Sequence, residues 1–136
     1  NGSVYGTATV TFSIGTVTYR PASDVSAGGW TPSTGTDLFA CIDEISSSDV
    51  DFITSPDLST PCVMGLSSSM PAGAWDIHYR SKYVVSGGSI RLVLLDSSNV
   101  VVGTGAWQAQ TGAFAGYTST VVTTATATRV RIEVQP

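Results

Sequence analysis

The stretch AWDIHYRSKYVV, residues 74–85, alternates large apolar side chains with charged or polar ones. Trp75, Ile77, Tyr79 and Tyr83 fall on one side of an extended chain and Asp76, His78, Arg80 and Lys82 on the other, because successive side chains of a strand point to opposite faces. The run reads as a strand with one buried and one solvated face. Immediately downstream, SGGS at 86–89 turns the chain into IRLVLLD, and DSSN at 96–99 turns that into VVVGTGAWQ, so a meander of three consecutive strands is expected.

The same period recurs elsewhere. TATVTFSIGTVTY, residues 7–19, alternates Thr or Ser with Ala8, Val10, Phe12 and Ile14, and Gly15 reads as a bulge or bend within it. VDFIT (50–54), PCVMGL (61–66), GYTSTVV (116–122) and RVRIEVQ (129–135) complete the set, the last with Val130, Ile132 and Val134 inward. Residues 22–36, ASDVSAGGWTPSTGT, read as loop from their Gly, Pro and Ser content. Leu38, Cys41, Ile42 and Ile45 recur at three- and four-residue spacing, which predicts one short helix near 37–45 with Asp37 as its N-cap. About eight short strands and no long helix predict an all-β fold: an antiparallel β-sandwich of jelly-roll type.

Length and composition bound the rest. At 136 residues the chain has the usual size of one domain, and residues 1–136 are read as a single β-sandwich domain. Residues 1–6, opening NGS, read as a tag remnant or the edge of a longer chain. Only 12% of residues are charged and the net charge is -4. No Lys/Arg cluster offsets that sign, so nucleic acid is not an expected partner. The longest apolar runs fall far below the ~18 residues of a membrane span, so no membrane insertion is expected. Cys41 and Cys62 have no metal-type spacing. An even count permits one bridge, while the setting of Cys41 within LFACI favours two small buried apolar side chains.

Chemistry is read most readily from DLFACIDEISSSDVDFITSP, residues 37–56, which holds five of the chain's ten acidic residues. Carboxylates gathered in a loop are the ligands a hard cation takes, which makes Asp43, Glu44, Asp49 and Asp51 candidate ligands of a structural calcium, although their spacing is not that of an EF-hand. Asp49 and Asp51 also share a face if extended, as a hydrolytic carboxylate pair would, but no apolar pocket beside them separates their pKa values. The simpler reading is that Asp and Ser side chains bind nearby backbone N–H groups and tie down this corner. His78 lacks a nucleophile motif, and with Arg80, Lys82 and, on the neighbouring strand, Arg91, it forms a basic stripe. Trp30, Trp107 and Tyr117 are the candidate glycan-stacking rings, whereas Trp75 belongs to the core by its alternation.

Taken together, RPASDVSAGGWTP, DLFACIDEISSSDVDFITSP, IHYRSKY, LVLLDSSNVVVGTGAW and RVRIEVQ resemble small β-sandwich modules of tailed-bacteriophage virion proteins, from about Tyr19 onward. The outline is also similar to carbohydrate-binding modules. The resemblance implies a non-enzymatic virion part without a cofactor, exposed on a tail fibre, tail tip or capsid surface. Its expected partners are other virion proteins, with a cell-surface glycan or host receptor as the alternative, and a homo-oligomer fits that setting. The implied location is the virion, outside the cell.

Overall fold

The computed structural model describes residues 2–12, 15–16, 19–42, 49–84 and 87–136. Its strands form two antiparallel sheets. The first runs β11 (Ala115–Thr123), β7 (Gly73–Tyr83), β1 (Gly2–Phe12), β5 (Phe52–Thr54), β4 (Thr31–Pro32), with β2 (Gly15–Thr16) paired to the end of β1. The second runs β10 (Gln108–Ala109), β8 (Ser89–Leu95), β12 (Ala127–Gln135), β6 (Cys62–Met70), β3 (Pro21–Ser26), and β9 (Val101–Thr104) shares the edge of β8 with β10.

Three nested pairings organise these strands. The β8–β9 hairpin lies at the centre, β7 pairs β11 around it, and β6 pairs β12 around both. That nesting is what a long hairpin makes when it rolls into two sheets, the jelly-roll pattern. The slot between β7 and β5, which a strand following β12 would fill in the simple roll, is taken by β1.

Over residues 74–83 the alternation is realised in β7: Trp75, Ile77 and Tyr79 are buried, and His78 between them is exposed. The opposite layer presents Leu92, Leu94, Val130, Ile132 and Val134 to the same core. Tyr19 meets the Trp75 ring edge-on, with centroids 5.3 Å apart and planes at 87°, an arrangement favoured by the ring quadrupoles. Each such large side chain, fully buried, contributes roughly 1.5–3 kcal/mol before ordering entropy is set against it.

Several sequence expectations are corrected. The meander fails at its first turn, because β7 belongs to one sheet and β8 to the other, leaving β8–β9 as its only hairpin. Residues 22–36 contain β3 and β4, and β3 escapes a periodicity reading because every residue after Pro21 is exposed on an edge strand. Gly15 opens β2, while the register shift in β1 falls between Tyr5 and Thr9.

Within residues 37–42, the described part of the predicted helix, there is one 3-10 turn, Phe39–Cys41, with Leu38 and not Asp37 at its N-cap position. Asp24 on β3 accepts the Leu38 and Phe39 N–H groups at 2.8 and 2.9 Å, so a residue fourteen positions earlier satisfies donors that a local cap would otherwise take. Ile45 lies outside the described residues. The cysteines are free and buried.

Gly103 on β9 marks where the two layers touch. A Cβ there would lie 2.7 Å from Val121 Cγ1 and 3.0 Å from the Val122 carbonyl oxygen of β11. Beside it, Thr124 N–H donates to the Val102 carbonyl at 3.0 Å, joining the end of β11 to the other sheet. Gly103→Ala is therefore expected to lower unfolding free energy by about 1–3 kcal/mol. Val122→Ala, at a side chain 66% exposed, should change it by less than about 0.5 kcal/mol. Urea denaturation of both variants checks the pair.

Candidate functional site

β12 assembles the most chemically varied surface of the described residues. Because Val130, Ile132 and Val134 turn inward, Arg129, Arg131 and Glu133 turn outward. β8 places Arg91 directly opposite Glu133 and Val93 opposite Arg131, while β6 places Val63 on the other side of Arg131. Val63, Val93 and Leu95 form a small buried cluster of their own on this outer face, the kind of apolar ground that arginine stems cover while their heads stay in water.

Glu133 lies between two guanidiniums. Arg91 Nε donates to its Oε1 at 2.6 Å and Arg131 Nε to its Oε2 at 2.7 Å. The three side chains are 17–29% exposed, so water still screens these short charge-assisted bonds. Arg91 also rests on the Trp107 ring, its guanidinium carbon 4.5 Å from the centroid, a cation–π contact that fixes the indole against the sheet edge. Trp107 and Glu133 border a groove of about 340 Å³ that is also lined by Leu58, Ser59, Pro61, Val134, Gln135 and Pro136.

The wall before β6 is braced by Asp57. Its Oδ1 accepts the Ser59 N–H at 2.8 Å and the Thr60 N–H at 2.7 Å, and its Oδ2 accepts the Thr60 hydroxyl at 2.9 Å. These bonds, the Ser59 backbone bond foremost, hold its carboxyl down at about 2, since donors to the ionised form favour it.

Of the candidate rings, Trp107 is the one placed at this groove. Trp30 is buried, because left-handed Gly28 and Gly29 (φ 59° and 80°) fold the chain back. Its indole N–H donates to the Thr60 carbonyl at 2.8 Å, which makes it a core residue and corrects its candidacy as a stacking platform. Tyr117 is partly buried on β11, whereas Trp107 lies between β9 and β10 of the other sheet. It stacks on Tyr79 with centroids 5.5 Å apart and donates its hydroxyl to the Ala109 carbonyl at 3.0 Å. Burial first, and then Tyr117, push the Tyr79 phenol above its ordinary pKa.

The acidic corner divides. Asp43 and Glu44 lie outside the described residues. Asp49 faces Arg80 as a two-bond pair, at 2.9 and 3.0 Å, and Asp51 accepts the Thr34 hydroxyl at 3.3 Å. The two carboxylates thus turn to different partners, and among the described residues no group of three or more His, Cys, Asp or Glu is placed to hold a metal ion. His78 Nδ1 meets the Thr118 hydroxyl at 2.9 Å, and Asp76 accepts from Thr120 at 2.7 Å. Arg91 does not extend the stripe of His78, Arg80 and Lys82, because β8 belongs to the opposite sheet. Burial, reinforced by the charge of Asp24, pushes the Cys62 thiol up to about 12, which leaves it a poor nucleophile.

Arg131 and Glu133 carry no motif by which the sequence alone marks them. The signal was the complement of the inward set in RVRIEVQ, and pairing with Arg91 needed the register. No family model matches the chain, and neither the curated proteins nor the solved structures provide a match.

Asp57 yields a pH test. Its folded pKa lies below the unfolded value of ~3.9, so its contribution is complete above that value and is lost as pH falls through about 2. Carboxyl NMR should find its midpoint near 2, and the stability gap between wild type and Asp57→Asn at neutral pH should close by that pH. A midpoint near 4 contradicts the bracing role.

Proposed function

We propose that this chain is a non-catalytic surface module of a tailed-phage virion, the setting implied by its sequence resemblance, and that it recognises cell-surface glycan in the groove beside Trp107. The observation that carries the glycan part is the combination of a partly exposed indole fixed by Arg91 and a groove of about 340 Å³ with Glu133 in its wall. An indole edge and face beside a few fixed polar groups is the pattern that orients a small ligand. Sugar C–H groups pack on the ring, and hydroxyls reach the polar side chains.

Support for a non-catalytic role comes from how the carboxylates are used. Glu133 has an arginine on each oxygen and Asp49 has both oxygens on Arg80. Each carboxylate is thus engaged in holding its arginine partners. No cofactor forms part of this reading.

A second reading, decoration of the particle by contact with other virion proteins or with further copies of this chain, draws on Val100, Val101 and Val122. Their exposures are 57%, 46% and 66%, and exposed apolar side chains are what a protein contact would cover.

Glycan-array binding followed by titration calorimetry distinguishes the two. Trp107→Ala is expected to weaken glycan binding about tenfold or more, the equivalent of ~1.4 kcal/mol, with unchanged circular dichroism. A wild-type chain that retains no glycan, or a Trp107→Ala chain that binds as well as wild type, overturns the groove reading.

A further inference from the structure

Resting on the glycan reading above, we propose that the ligand is an acidic saccharide whose carboxylates are held by the outer face of β8 and β12, through Arg91 and Arg131 with Arg129 adding to the local field. The whole chain carries a net charge of -4, yet this face carries three of its six basic residues, two of them on one carboxylate. Screening confines charge effects to about 8 Å at physiological salt, so at contact distance the local arginines outweigh the overall sign.

The nearby acids are occupied with backbone N–H groups of their own loops and neighbours. Asp96 turns into its own hairpin, accepting the Ser98 and Val100 N–H groups at 2.8 and 3.0 Å. Asp24 accepts from Leu38 and Phe39, and Asp57 from Ser59 and Thr60.

The hydrogen-bonding inventory points the same way. Arg91 and Arg131 both reach Glu133 through Nε, and among the described residues neither terminal fork, NH1 with NH2, bonds a protein acceptor. Each fork matches the two oxygens of a carboxylate. Glu133, the acceptor of the group, already receives a bond on each oxygen. The face therefore offers many donors and few acceptors. A neutral sugar brings hydroxyls that both donate and accept, whereas a carboxylate only accepts, so the surplus of donors selects the acid. Arg129, with NH1 on Asn99 Oδ1 at 2.7 Å, has no acidic partner among the described residues and adds charge without belonging to the Glu133 pair.

The test uses the full chain and a panel of acidic polysaccharides, including polygalacturonate, alginate and a sialylated glycan, each beside its carboxyl-esterified or carboxyl-reduced neutral form. Direct binding is measured by calorimetry at low and high salt. The acid form is expected to bind about tenfold or more tighter than its neutral partner, and the difference should shrink as salt rises. Arg131→Gln should remove most of that preference. Arg129→Gln, which leaves the Glu133 pair intact, should lower acid affinity about threefold and leave neutral affinity unchanged. Neutral forms that bind as tightly as the acids, or acid affinity indifferent to both substitutions, overturn this inference while the glycan reading stands. If no saccharide in the panel or on the array binds, both fall.

Discussion

The register of β12 is the constraint on which the rest depends. Three aliphatic side chains on one of its faces fill the core, and two arginines and a glutamate on the other form the outer row. A slip of one residue would exchange those faces, burying charges and exposing Val130, Ile132 and Val134. Burying an unpaired charge costs several kcal/mol, against a net stability for a domain of about 5–15 kcal/mol, so a slipped sheet would not persist. The same register that builds the core brings Glu133 opposite Arg91 and thereby fixes Trp107.

Acidic side chains work as local braces around this frame. Asp24 caps the 3-10 turn, Asp57 holds the groove wall, and Asp96 shapes the β8–β9 hairpin, where Asn99 takes the left-handed conformation (φ 63°). Each accepts backbone N–H groups that loops would leave without partners. Asp49 differs in bonding a side chain, Arg80, and with half its own side chain exposed that pair adds about 0–1 kcal/mol. Within the acidic stretch 37–56, Asp49 and Asp51 instead meet side chains, Arg80 and Thr34, and Asp43 and Glu44 lie outside the described residues.

Much of the architecture was legible in the amino-acid order. β7 and β12 each have one buried face, and the alternation that a half-buried strand requires is visible without coordinates. β3 was not legible, since an edge strand with exposed residues has no apolar period to display. Nor was the passage from β7 to β8, because a Gly-rich turn can lead back beside its own strand or across to the other sheet. Of the site, Trp107 could be named from its residue type. Its contact with Arg91, and that of Arg91 with Glu133, depend on strand pairing between distant segments. Trp30 looked like a loop aromatic, and only the left-handed pair Gly28–Gly29 shows why it is buried.

Cross-strand NMR contacts test the central claim most directly, because they report pairing residue by residue. The account predicts backbone contacts that match residue 133 with 91, 131 with both 93 and 63, and 129 with 95. A set displaced by one residue, or β12 found paired outside β6 and β8, would contradict it.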